Sequence, residues 1–219
     1  MNTIATHSDT LLLIDKPVGC TSFDVIRCLR KELGIRKMGH AGTLDPLASG
    51  LLLIGVGPGT KALHALLGLP KTYLATIQFG YATDTGDTEG AITSRGDASG
   101  ISEQLIRTTL QSMIGTLSLP APTYSAIKQN GVPLYKRARR GEVVHAPLRD
   151  MTIYEATLQT FEATEYPRAH ICFYVASGVY IRSLAEELGK RVGCPAHLSA
   201  LRRTAIGSYA VEQARSISV

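Results

Sequence analysis

Residues 38–57 read MGHAGTLDPLASGLLLIGVG, and their pattern decides how the rest of the 219-residue chain is read. Leu51, Leu52, Leu53 and Ile54 form an apolar run bounded by glycines, the signature of a strand buried on both faces. Just before it, Pro46 biases Asp45 away from helical dihedrals and sets that carboxylate on a bend. Gly39, Gly42 and Gly50 permit tight backbone around the bend. A carboxylate on a Gly-rich bend beside a core strand is a candidate site. A solvated acid in an Asp-Pro turn is the plainer reading of the same residues.

Upstream, TLLLID from Thr10 to Asp15 reads as a short buried strand, followed by the turn Lys16, Pro17, Val18, Gly19. Thr21 or Ser22 can cap a helix in which Ile26, Leu29 and Leu33 recur at helical spacing and Gly34 is the stop. Arg27, Arg30, Lys31, Arg36 and Lys37 line it, either as a solvated face or as a flank for phosphates. Downstream, GVGPGTKALHALL fails as a P-loop because Lys61 is preceded by Thr60 and followed by Ala62, so no nucleotide cofactor is expected. A tight turn opening a helix accounts for it.

KTYLATIQFG, from Lys71, alternates as a strand with Tyr73, Ala75 and Ile77 on one face. The acidic DTGDTEG that follows lacks calcium-loop spacing and reads as a loop. The spacing predicts an amphipathic helix over Ile101–Gly115, with Leu105, Ile106, Leu110, Met113 and Ile114 on its apolar face. Asn130 and Gly131 signal a hairpin, and residues 151–161 and 168–176 an antiparallel pair of strands. A last helix over Tyr180–Val192 carries Tyr180, Leu184, Leu188 and Val192 as its buried stripe, with Arg182 off that stripe and Glu186 four residues on.

With 44% hydrophobic and 19% charged residues the chain can bury a core as one domain. Its net charge of +5 suits a polyanion. From Ser125 to Arg149, Lys128, Lys136, Arg137, Arg139, Arg140 and Arg149 face Glu142 alone, so this one segment holds as much excess charge as the whole chain. Cys20, Cys28, Cys172 and Cys194 show no paired spacing, and MNTIATHSD is not a signal region, which points to reduced thiols in the cytoplasm. No apolar run reaches the roughly 18 residues of a membrane span.

GHAGTLDPLASGLL resembles the signature loop of the TruB-type tRNA pseudouridine synthases, and similar stretches extend from about Leu11 to about Gly207. They are DKPVGCTS with Lys16, the Lys-x-Tyr pair of Lys71 and Tyr73, the basic segment near 120–149, SGVYIRSL with Tyr180 and Arg182, and AHLSALRRTAIG with Leu201. The resemblance implies a mixed α/β (α+β) pseudouridine synthase fold. Its sheet would be mostly antiparallel, with flanking helices, a central RNA cleft crossed by the Asp45 loop, and a mobile basic thumb at about 120–149. It implies that Asp45 is the indispensable catalytic residue, that Arg182 bonds to it, and that Tyr73 stacks on the target uracil. Leu201 would line the uracil pocket with Arg202 and its neighbour in support, and His40 would take up the space of a flipped base. Lys16, Gly42 and Tyr180 belong to motifs at the RNA site. Lys128, Lys136, Arg137, Arg139 and Arg140 would meet phosphates.

The implied substrate is tRNA, at the T-arm uridine 55, bound by a monomer that needs no cofactor because the isomerisation has no net redox change. Typical bacterial members continue into a C-terminal RNA-binding PUA domain, whereas here only Thr204 to Val219 follow Arg203, so a short or truncated member with weaker whole-tRNA binding is expected. His170 with Cys172 and Cys194 with His197 supply two pairs of zinc-type ligands, but GCPAHL fits the synthase pattern without metal. The alternative is an RNA-binding or tRNA-folding protein whose main role is not catalysis; the Asp45, Tyr73 and Arg182 set argues against it.

Overall fold

The structure is a computed structural model that describes residues 11–129, 131–138, 140–144 and 146–219. Leu11–Lys16 is β1, and the helix that follows, α1 at Ser22–Leu33, is delimited by its own sequence. Thr21 caps it in a reciprocal capping box with Asp24, and Gly34 closes it in the left-handed conformation at φ 69°. Next come β2 (Met38–His40) and β3 (Ala48–Val56). The GVGPGT stretch becomes a 3-10 helix, Gly57–Ala62, that runs into the short α2, Leu63–Leu67.

Then follow β4 (Lys71–Phe79), the β5–β6 hairpin (Tyr81–Thr83, Ile92–Arg95), α3 (Glu103–Ser112) and β7 (Gly115–Pro120). A second small hairpin, β8–β9 (Lys128–Gln129, Val132–Pro133), precedes α4 (Leu134–Ala138). The long strands β10 (Leu148–Glu162) and β11 (Arg168–Val175), then α5 (Ile181–Val192) and β12 (Ala196–Ile206), complete the frame before the short β13 (Tyr209–Ala210) and β14 (Arg215–Ser216). This is the α+β class expected from the sequence, with a mixed sheet.

The chain forms two compact units, one reaching to Leu74 and including Leu201–Val219, the other Ala75–Ala200. In the first, strands run in the order β14-β1-β3-β12. β1 lies antiparallel to β3 from Leu11 opposite Gly55 to Lys16 opposite Gly50, while β12 lies parallel to β3 with Leu201 opposite Ala48. β3 is buried on both faces, as its apolar run predicts. Leu52, Ile54 and Val56 pack with Val25, Ile26 and Leu29 of α1, and Leu51 and Leu53 with Leu66, Ile206 and Val211 on the opposite side.

In the second unit β11, β10 and β7 are neighbours, β10 being antiparallel to both. Residues 121–147 leave and return at one place, since the Ala121 N–H donates to the Pro147 carbonyl at 3.0 Å. This excursion covers most of the segment that the resemblance marks at about 120–149, and within it a hairpin sets Gln129 opposite Val132; Asn130 lies outside the described residues.

One expectation is corrected. The helix over Ile101–Gly115 is shorter, capped by Ser102, and Leu105 and Ile114 are exposed; Ile106, Thr109 and Leu110 form its buried stripe. Arg182, off the apolar stripe of α5, is nonetheless buried, because the loop between β5 and β6 folds over it.

Candidate active site

In the first unit the backbone around Asp45 is held from two sides. The Ser22 hydroxyl accepts from the Leu44 N–H at 2.8 Å and donates to the Leu44 carbonyl at 3.1 Å, while the Gly19 N–H donates to the Pro46 carbonyl at 2.8 Å. Asp45 opens the turn expected before a proline, its carbonyl accepting from the Ala48 N–H at 3.0 Å. Leu44 and Leu47 are buried on either side, and Asp45 is half-buried between them on this bend.

Beneath the bend lies Arg203. It is almost completely buried, its Nε donating to the Leu51 carbonyl at 2.8 Å and its Nη2 to the Gly42 carbonyl at 3.1 Å. Gly50, at φ 105°, lets the β12 backbone come this close: a Cβ there would lie 2.7 Å from the Arg203 nitrogen. The sequence pointed to the arginine pair and put Arg202 among the candidate site residues. Arg202 holds Asp15 in a two-pronged ion pair at 3.0 and 2.7 Å, while Arg203 supports the loop.

Two more buried cations join it. The Lys16 ammonium, fully buried, donates to the carbonyls of Pro17 and Cys20 at 2.8 and 2.7 Å. Burial lowers its pKa, with the carboxylate of Asp45 pulling it back up and Arg203 pushing it further down. Lys71 donates to the Leu67 carbonyl at 2.6 Å, and burial followed by the charge of Arg203 brings its pKa down to about 8. His40 is lowered by burial and then by Arg203, which keeps its imidazole neutral at pH 7. Positive charge therefore collects beside the loop that carries Asp45.

Leu201 faces Ala48 across the parallel β3–β12 pair. Tyr73, largely buried on β4, follows Thr72, whose carbonyl accepts from Thr204 Oγ1 at 3.4 Å. Lys16, His40, Gly42, Asp45, Tyr73, Leu201 and Arg202 thus all belong to this unit.

The second unit holds Arg182 in the first turn of α5, with Tyr180 at the N-cap. Its guanidinium donates to the carbonyls of Thr85 at 3.0 Å and Tyr124 at 3.1 Å, and its Nε lies 3.8 Å from Asp87 Oδ2. Asp87 is itself fixed, accepting from Thr85 Oγ1 at 2.6 Å and from the Glu89 N–H at 3.0 Å. Sequence reading took residues 84–90 as a plain loop and missed this acid. The available signal was a Thr-Gly-Asp turn, in which a Thr hydroxyl two residues before the Asp can lock its carboxylate. Glu186, the acid four residues after Arg182, feels the guanidinium, yet burial dominates and raises its pKa. The adjacent Ser183 donates to the Pro120 carbonyl at 2.7 Å, so two consecutive residues of α5 hold the root of the 121–147 excursion.

Within that excursion Lys128, Lys136 and Arg140 are exposed, whereas Arg137 is engaged by Glu142 at 2.7 Å and Gln129 at 2.8 Å. Arg139 lies outside the described residues. The zinc-type pairs have protein partners: His170 meets Thr76 at 3.1 Å and Glu162 at 2.9 Å, and His197 bonds the Tyr81 carbonyl at 3.0 Å. Among the described residues no three metal-type ligands cluster, and no helix is long and apolar enough to cross a membrane.

Residues 30–181 match the TruB family pseudouridylate synthase N-terminal domain and residues 182–219 the tRNA pseudouridylate synthase B C-terminal domain. The chain is 41% identical to a tRNA pseudouridine synthase B of Thermobifida fusca, over 96% of its own length and 73% of that protein. It is 42% identical to one from Bordetella avium, over 94% and 84%. Among solved structures, a chain of a Cbf5-Nop10-Gar1 complex superposes with a TM-score of 0.72 at 26% identity, and one of an H/ACA RNP bound to a substrate RNA containing 2'-deoxyuridine with 0.70 at 25%. The chain covers 97% and 96% of itself in these superpositions but only 53% and 51% of those longer chains, about half their length. With a family model spanning most of its residues and relatives above 40% identity along nearly all of it, the chain belongs to the TruB family of pseudouridylate synthases.

Proposed function

We propose that this chain isomerises uridine to pseudouridine in tRNA, acting on the T-arm loop with Asp45 as the catalytic carboxylate. The observation that carries the proposal is the clamped Asp45 bend above buried Lys16 and Arg203. The reaction breaks the N-glycosidic bond, turns the uracil and joins its C5 to the same ribose carbon; the C5 proton leaves and N1 gains one. No electron acceptor enters and no group is added, so one carboxylate, a pocket that retains the detached base and exclusion of water suffice.

Asp45 acts as a nucleophile on the sugar or the base fragment, or as the base that removes a ribose proton. Tyr73 and Leu201 hold the uracil between an aromatic face and an apolar side chain, and Arg182 has the task its motif gives it. A base inside a folded loop must be flipped out, at a cost of a few kcal/mol that protein contacts offset. His40, neutral at pH 7, fills the vacated stack. Lys128, Lys136 and Arg140 meet phosphates.

The test is tritium release from C5-labelled uridine in an unmodified T-arm stem-loop and in whole tRNA. Release by the parent protein and none by Asp45→Asn, with RNA binding kept, is the expected result. Release by both would remove Asp45 from the chemistry. Release from whole tRNA whose T-arm uridine has been replaced would move the target elsewhere.

A further inference from the structure

The basic face of α1 is used by nothing described so far. Phe23 is 53% exposed on this helix, an unusual place for a large aromatic side chain, and Val18 in the preceding turn is 64% exposed. The guanidinium of Arg27 lies 6.0 Å from the centre of the Phe23 ring and that of Arg30 lies 5.7 Å from it. Residues 23, 27, 30 and 31 fall on one stripe of the helix, opposite Val25, Ile26 and Leu29 in the core. Lys31, Arg36 and Lys37 extend the exposed charge. The acids nearby are already engaged, Asp24 with Arg27 and the capping box, and Glu32 with Arg215.

We infer that this stripe is a second docking surface for the RNA substrate, in which Phe23 stacks on an unpaired base and Arg27 and Lys31 contact backbone phosphates. The inference rests on the proposed tRNA reading and deepens it. An aromatic face between guanidiniums is the pattern that holds single-stranded RNA, because stacking accepts any base and the cations follow the backbone. Charge favours this occupant over a protein, since Arg27, Arg30, Lys31, Arg36 and Lys37 outnumber Asp24 and Glu32, the acids of this helix, and both acids are already engaged. Position favours it too. Ser22, next to Phe23, is the residue that clamps Leu44, and Gly19, next to Val18, is the one that clamps Pro46. RNA whose target nucleotide is at Asp45 therefore has its flanking nucleotides close to this stripe, which runs about 12 Å along the helix axis from Phe23 to Lys31.

The experiment measures binding of an unmodified tRNA transcript over a salt series for the parent, Phe23→Leu, Phe23→Tyr and the double variant Arg27→Gln/Lys31→Gln, each checked for an unchanged thermal midpoint. Phe23→Leu is expected to weaken binding about tenfold while Phe23→Tyr stays near the parent. The double variant is expected to flatten the log–log salt slope by about 1 to 2. Binding and slope equal to the parent in both Phe23→Leu and the double variant, with tritium release by the parent intact, would overturn this inference alone and leave the face to a protein partner. A parent that releases no tritium from any tRNA overturns the underlying reading instead, and the inference with it.

Discussion

Ser22 and Leu44 exchange two hydrogen bonds, one hydroxyl satisfying both the N–H and the carbonyl of the residue before Asp45. Neither partner is accessible to water. Ser22→Ala would leave both backbone groups of Leu44 without that partner, at a cost of about 2 kcal/mol. The helix cap is untouched, because Thr21 makes it. The expected result is a thermal midpoint lowered by about 4 to 8 °C. The single-turnover rate of tritium release should fall about tenfold, since a misplaced catalytic group loses its orientation. A drop in stability with an unchanged rate would show that the clamp does not position the carboxylate.

Gly50 and Gly34 both adopt positive φ, at 105° and 69°, but only Gly50 has the Arg203 backbone against it. Gly34→Ala should cost about 1 kcal/mol, the price of a left-handed alanine. Gly50→Ala adds a steric conflict with backbone that cannot move, and should cost more than about 3 kcal/mol. Urea unfolding of the two variants measures the difference. Equal midpoints would mean that β12 can move away from β3.

Lys71 titrates at about 8 in the folded protein, against 10.5 for an unburied lysine. In that interval the unfolded chain binds the extra proton, so stability rises with pH from about 8 to about 10.5, and the full penalty for burying the cation applies below 8. Lys71→Met removes this contribution. The difference in unfolding free energy between the two proteins should change by about 3 kcal/mol at most across the window, the parent gaining as pH rises. A constant difference would mean that Lys71 keeps an ordinary pKa.

Asp87→Asn retains the shape of the locked turn and removes one negative charge beside Arg182. Arg182 keeps its two carbonyl contacts, so the fold should persist with a loss of about 1 to 3 kcal/mol. Catalysis should suffer more than tRNA affinity, with the rate down at least about tenfold and Kd within about threefold. An equal loss in both would assign Asp87 to RNA binding.

How far the sequence could be read depended on whether the deciding contacts are local. The cap, box and stop of α1 lie within four residues of the helix ends, and the apolar run of β3 states its own burial. Along β12 the adjacent Arg202 and Arg203 necessarily point to opposite faces, and only the presence of Asp15 on one side and the Gly42 and Leu51 carbonyls on the other tells them apart. Periodicity placed Leu105 on the core side of α3, yet the helix starts later and turns it outward. Asp87 meets Arg182 across 95 positions of chain, a distance no spacing rule can reach.

The shared exit and entry point of residues 121–147 has a consequence for how this enzyme can change. Because β7 and β10 pair right up to Pro120 and Leu148, the ends of the segment are held together whatever lies between them. Each doubling of its length adds only about 0.6 kcal/mol of closure entropy. The segment can be lengthened, trimmed or exchanged like a cassette while β7 and β10 stay as they are.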